Sequence, residues 1–474
     1  MSSSSTAAQS STGNTNRRLP TLRSMGSTIS SVGSESETGA GAVSSEDDDR
    51  GEKVSLADNA SVTQHIDAMV QRARDGTELT DIEIEDLINS LSNLLPTNSP
   101  VDMEDVGHFL KEVAHLSHKD WARTSSNSDR LCRTLSASSD DASEDSFPLS
   151  YHARQLLERI LKDGNWQGAV DNAKQSSSSS SSEKQLPWAV LVTGVNGIRK
   201  TTSMYQPWFP QLLQEALVCP SVDAAGEGDS KAPPVEALPT GANSFFRQLD
   251  HMIATLCNEE FSRLYAWSAS QLNRGQADDS DGTGTGGSTR KRNADGTHAD
   301  PIPSDETVQK YSDYKAAIFS RYRTLSELLG ALLLKQAQLV NINCLMETSG
   351  RDVAMFKYVD HFFPKSSKYN KLALHFTIND LSCAQQSVDK RMIEEIQAGA
   401  RAVETGDAFS IVYTNQGGPY GSKVLPDVQR DSDKVWDTEV MSGNVGKDWY
   451  KATIAINAHP TEPWTAQAVK PDGT

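Results

Sequence analysis

The stretch LVTGVNGIRKTTS, residues 191–203, decides how the rest of the chain is read. Residues 188–192 form a short apolar run that reads as a buried strand. It feeds straight into Gly194, Gly197, Lys200, Thr201 and Thr202. A loop that holds phosphate needs a buried strand to deliver the chain and small residues so that backbone N–H groups can turn inward. It also needs a helix that starts at once, so that its positive end meets the anion. Lysine then reaches the outer phosphates, and a hydroxyl takes magnesium. Lys200 and Thr201 stand six and seven residues after Gly194, the spacing of G-x-x-x-x-G-K-[ST].

The expected nucleotide-binding residues are therefore Gly194, Val195, Asn196, Gly197, Ile198, Arg199, Lys200, Thr201 and Thr202, with ATP and Mg²⁺ as the ligands. Arg199 breaks the pattern, because a glycine before the lysine keeps side chains off the phosphates. The guanidinium either points outward and leaves the loop intact, reaches over the phosphates as a cation, or blocks the loop. Pro207 follows Lys200 by seven residues and predicts a short or kinked first helix.

Outward from the loop, residues 221–234 and 273–305 read as insertions rich in small and polar residues. Helices are expected over 244–267, 308–336 and 384–403, and strands over 339–346, 372–378 and 409–413. The last strand runs into the loop TNQGGPYG. Alternation of strands with helices predicts an α/β fold: three α/β/α layers around a mostly parallel sheet, preceded by a small helical region and a disordered N-terminus. The expected organisation is a tail over 1–60, a helical region over 61–165 with a loose Ser/Asp-rich part over 123–147, and a serine-rich linker over 166–185. A nucleotide-binding domain over 186–425 and a C-terminal extension over 426–474 complete it. In the helical region Thr80 and Glu83 have capping-box spacing, and Ile84, Leu87, Ile88, Leu91, Leu94 and Leu95 make one apolar stripe. It reads as a small bundle that covers the main domain, with a docking surface for a protein partner as the alternative.

The net charge of −18 over 474 residues disfavours broad nucleic-acid binding. The five cysteines, Cys132, Cys219, Cys257, Cys344 and Cys383, are far apart, which fits a reducing compartment such as the cytoplasm. No apolar run reaches the roughly 20 residues of a membrane span. The first 34 residues lack Asp and Glu and contain Arg17, Arg18 and Arg23, a composition shared by organelle-import segments and plain polar tails. His115 and His118 have HxxH spacing without an obvious third ligand, and the basic spot Arg290, Lys291 and Arg292 reads as a solvated loop.

GVNGIRKT, GANSFFRQLD, METSGRD and DKRMIEEIQAGAR occur in this order, and the series resembles the zeta-toxin-like kinase group of the P-loop superfamily over roughly residues 186–425. The resemblance implies phosphoryl transfer from ATP to a small acceptor. It matches Arg247 to the arginine after the second strand, Glu347 to a strand-end glutamate, and Lys390, Arg391 and Arg401 to a lid helix. Asn243 stands where that group has an acidic base, which leaves Asp250 as a substitute. GVNGIRKTT, NSFFR and ETSGR are also similar to motifs of the signal-recognition GTPases, but Thr414-Asn415-Gln416-Gly417 lacks the aspartate that would read guanine. The expected catalytic set is Lys200, Arg391, Asp250 and Glu347, with magnesium on Thr201 and Glu347. Either Asp250 or Glu347 would take the acceptor's proton. The alternatives are a nucleotide-switched NTPase and an inactive relative.

Overall fold

A computed structural model describes residues 17–18, 59–135, 151–178, 185–220, 232–277, 301–415 and 417–470. The strands are β1 (Arg17–Arg18), β2 (Trp188–Thr193), β3 (Ser244–Arg247), β4 (Asn343–Glu347), β5 (Asn370–Ile378), β6 (Tyr450–Asn457) and β7 (Thr465–Val469). They form one sheet in the order β1-β7-β6-β5-β2-β4-β3. β6, β5, β2, β4 and β3 run parallel. β7 is antiparallel to β6, and the two-residue β1 is antiparallel to β7.

Every residue of β2 is buried. A central parallel strand has helices on both faces, so its sequence is apolar without alternation. Ala189 and Leu191 enter one core, while Trp188, Val190 and Val192 enter the other. That division follows the two-residue period of a strand. The second core takes Phe209, Leu212 and Leu213 from the helix Phe209–Ala216 and Leu425 and Val428 from Leu425–Val435. The first is larger and helical, and it includes Leu328, Leu332 and Phe356. The long helix Leu381–Thr405 joins the two: Cys383, Ala384 and Val388 pack in one, Met392 and Ile396 in the other.

The N-terminal helices pack into the first core. Leu87, Leu91 and Leu94 of the expected stripe are buried there, so the protein's own body covers that face. Asn258 Nδ2 donates to Ser90 O at 2.8 Å, Arg263 makes two 2.7 Å bonds to Asp86, and Arg321 Nη2 lies 2.7 Å from Glu83 Oε2. The Thr80–Glu83 capping box is present in both directions.

Several elements differ from the sequence reading. Residues 244–267 are not one helix: β3 is followed by the helices Leu249–Leu256 and Asn258–Ala277. Ser-Phe-Phe-Arg is buried on both faces as the edge partner of β4, and this pairing overrides helical periodicity. The helical stretch 308–336 is broken at Tyr322 into Asp305–Arg321 and Arg323–Leu339. Residues 409–413 lie in the helix Ala408–Thr414, not a strand, because the Asp407 side chain caps the amides of Phe409 and Ser410.

The linker expected from residue 166 is the helix Trp166–Ser178, anchored by Trp166 against Phe245 with ring centroids 4.9 Å apart. Trp121–Leu135 is also helical, within the part expected to be loose. Residues 426–474 are no appendage: they supply β6 and β7 to the sheet. Most of the tail, the stretch 136–147, the rest of the serine run, Arg290 to Arg292 and the greater part of both insertions lie outside the described residues.

Candidate functional site

The strands that follow β2 in the sheet lie on opposite sides of it, β4 on one and β5 on the other. In open parallel sheets, ligands bind beyond the strands' carboxyl ends at such a switch point. The glycine loop leaves β2 there. Gly194 has φ 123° and Gly197 φ 85°. A Cβ on Gly194 would lie 2.4 Å from Phe376 O, and one on Gly197 would lie 2.6 Å from Ala384 O, so both positions require glycine. Among the described residues, no hydrogen bond to a backbone or side-chain acceptor occupies the amides of Val195, Asn196, Gly197 and Lys200. A run of free N–H groups in such a turn suits an anion.

Lys200 is buried. Its Nζ donates to Gly194 O at 2.9 Å and to Val195 O at 2.7 Å, and it pairs with Glu347 Oε1 at 2.9 Å. Thr201 Oγ1 donates to Glu347 Oε2 at 3.2 Å. Glu347 ends β4, whose register against β2 sets it opposite Val192, one residue before Thr193. Three expected site residues thus converge from two neighbouring strand ends. As the proline predicts, the first helix is short, Lys200–Met204.

Arg199 has φ 61° and ψ 32°, the left-handed conformation that glycine adopts freely. Its guanidinium lies 4.0 Å from the centroid of the Trp464 ring. The side chain therefore leaves the loop and stacks on the turn before β7. Of the sequence alternatives, this is the outward one.

Asp250 lies in the first turn of Leu249–Leu256, and its backbone carbonyl accepts from Asn415 Nδ2 at 2.9 Å. Burial pushes its carboxyl up, against the opposing pull of Lys315 and Arg391. The segment Gly417–Gly418 runs close by. A Cβ on Gly418 would lie 3.5 Å from Asn196 Nδ2 and 3.9 Å from both Asp250 oxygens, and one on Gly417 would lie 2.7 Å from Arg391 Cζ. Asn196, Asp250 and Arg391 therefore surround one glycine pair.

The other basic residues carried over by resemblance are placed differently. Arg247 is buried away from the loop, with Nη1 donating to Glu327 Oε2 at 2.8 Å and to Tyr358 Oη at 3.0 Å. Lys390 is exposed and lies 3.8 Å from Glu394, and Arg401 is exposed. Thr202 is half-buried in the first helix turn.

Two groups escaped the sequence reading. Lys315 Nζ lies 2.6 and 2.9 Å from the Glu395 oxygens, and Tyr311 Oη donates to the same carboxylate at 2.6 Å. Burial pulls the Lys315 ammonium down. Thr193 Oγ1 and His375 Nδ1 are 2.9 Å apart, and His375 Nε2 is 3.2 Å from Asp433 Oδ1. Both groups join residues from separate helices and strands without a motif, so spacing carries no signal for them.

Among the described residues, His115 and His118 are not gathered with a third ligand: His115 lies 3.9 Å from Glu78, and His118 faces Trp121 at 6.3 Å between centroids. His65, Asp86 and Glu260 do cluster within metal-ligand reach. There the Arg263 guanidinium, 2.7 Å from Asp86 and 3.4 Å from Glu260, already supplies the positive charge.

No family model matches the chain, and no curated protein and no solved structure matches it. No helix among the described residues is long and apolar enough to cross a membrane. The geometry defines a mostly parallel α/β protein with a lysine, a hydroxyl and a carboxylate gathered at the switch point of its sheet.

Proposed function

We propose that the chain binds a nucleoside triphosphate, ATP, at residues 194–202 and transfers its terminal phosphoryl group to a small acceptor. The observation that carries this reading is the convergence of Lys200, Thr201 and Glu347, with Nζ 2.9 Å and Oγ1 3.2 Å from the two carboxylate oxygens. Phosphoryl transfer rests on positioning and charge neutralisation, and these groups are of the required kinds. The free amides of the loop would cradle the β-phosphate, and Lys200 would bridge the outer phosphates.

A hydroxyl and a carboxylate are hard oxygen donors that suit Mg²⁺, which keeps several waters of its own. Thr201 and Glu347 would hold the ion, and when bound it neutralises phosphate charge. The outward stack of Arg199 on Trp464 favours an open loop over a blocked one. Arg391 is the cation nearest the Gly417–Gly418 segment and would stabilise the charge of the transferred group. Asp250, with its carboxyl pushed up by burial, would accept the acceptor's proton.

The test is calorimetric titration of the full chain with ATP and Mg²⁺, followed by ATP consumption with and without a panel of small hydroxyl and amine acceptors. Binding that Lys200→Ala abolishes, with consumption that needs an acceptor, is the expected result. Slow consumption without any acceptor makes the protein a hydrolysing switch. Binding that survives Lys200→Ala removes the site assignment.

A further inference from the structure

A cavity of about 390 Å³ lies against β5, β6 and β7, under the segment that follows the helix Leu425–Val435. Its polar lining includes His375, Asp433, Asp437, Lys451 and Lys470, with Trp436 as an aromatic wall. His375 stands on the face of β5 opposite Leu374 and Phe376, which fill the second core. The chain over Trp436–Met441 has π-helical spacing, a departure often found at functional sites.

The charges are what set this cavity apart. Lys451 Nζ donates to Val440 O at 2.5 Å, and burial draws the ammonium's pKa down. Among the described residues, neither Lys451 nor Lys470 lies within ion-pair distance of a carboxylate, and Asp437 has no cationic partner. The Asp433 carboxylate lies 3.2 Å from His375 Nε2. Two ammonium groups and two carboxylates thus line one space without neutralising each other. A polyanion such as a nucleotide would be repelled by the aspartates, and a simple cation by the lysines. A molecule with one charge of each sign satisfies both pairs, and Met441 and Val469, beside a Trp436 ring that stacks on His375 with centroids 4.8 Å apart, give its side chain an apolar surface.

We propose that this cavity binds a free α-amino acid, its carboxylate held by Lys451 and Lys470 and its ammonium by Asp433 and Asp437. The cavity adjoins the start of the glycine loop, since His375 touches Thr193 and Asp433 also lines a narrow space with Gly194 and Val195, but it uses none of the residues of the phosphotransferase reading and does not depend on it.

The test is titration calorimetry of the full chain with each of the twenty common α-amino acids, and with acetate and methylamine as singly charged controls. Binding of at least one amino acid is expected, without binding of either control at the same concentration. Asp437 and Lys470 are exposed, so Asp437→Asn and Lys470→Ser should leave the fold intact. Each should weaken binding at least about tenfold, as loss of one charge partner does. Lys200→Ala should leave the affinity unchanged, which separates this site from the nucleotide site. The proposal is overturned if none of the twenty binds, if both substitutions leave the affinity unchanged, or if the controls bind equally well.

Discussion

The Arg199 guanidinium lies 4.0 Å from the centroid of the Trp464 ring, and this contact ties the glycine loop to the turn that precedes β7. It explains how a bulky residue occupies a position built for glycine. The backbone keeps the left-handed conformation, at about 1 kcal/mol for a residue with a side chain. The stack offsets that by roughly 0.5–2 kcal/mol. Arg199→Gly should therefore change stability by no more than about 1 kcal/mol and leave ATP affinity intact. Urea unfolding and calorimetry check both, and loss of ATP affinity would show that the guanidinium acts on phosphate.

Trp464→Ala should be far more damaging. The indole is buried in the second core and its Nε1 donates to His459 O at 3.2 Å. Its removal should cost about 3–5 kcal/mol, measured by urea unfolding. The double variant Arg199→Gly/Trp464→Ala should cost less than the two single changes added together, because they share one contact.

In the proposed nucleotide site, Glu347 should separate ATP binding from its dependence on Mg²⁺. Glu347→Gln keeps a group that accepts from Thr201 but loses the charge opposite Lys200. ATP should still bind, with an affinity that no longer rises when Mg²⁺ is added. Calorimetry with and without Mg²⁺ decides it, and an unchanged magnesium response would exclude Glu347 as its anchor.

The Arg247–Glu327 pair supports the core. Arg247→Ala leaves a buried carboxylate without its main partner and should cost about 3–5 kcal/mol. Arg247→Met with Glu327→Leu should recover most of that loss. If the double variant is stable but has lost ATP consumption, Arg247 has a role in catalysis beyond this pair.

The same pair predicts an acid limb. Burial would raise the Glu327 carboxyl, but Arg247 and Arg323 outweigh it and hold the group at about 2. The unfolded chain has an ordinary glutamate and takes up its proton at higher pH than the folded one. The stabilisation is therefore complete above about pH 4.5 and is lost as the pH falls toward 2. Chemical unfolding at intervals between pH 5 and pH 2.5 should show a shallower decline for Glu327→Gln than for the unchanged protein.

By itself the sequence determined the local features. An apolar strand into Gly194 and Gly197, with Lys200 and Thr201 at their spacing, marks the loop, and Thr80 with Glu83 marks a helix start. These signals lie within a few residues of one another, where backbone geometry and capping act. Only the tertiary structure decided which distant residues complete the site. Parallel pairing of β2 with β4 brings Glu347 to Thr201 across 146 positions of chain. Pairing of β6 with β5 and β7 makes the C-terminal segment part of the sheet and delivers Trp464 to Arg199. It also decided that residues 244–247 extend and residues 408–414 coil, because partner strands and caps outweigh the weak preferences of short segments.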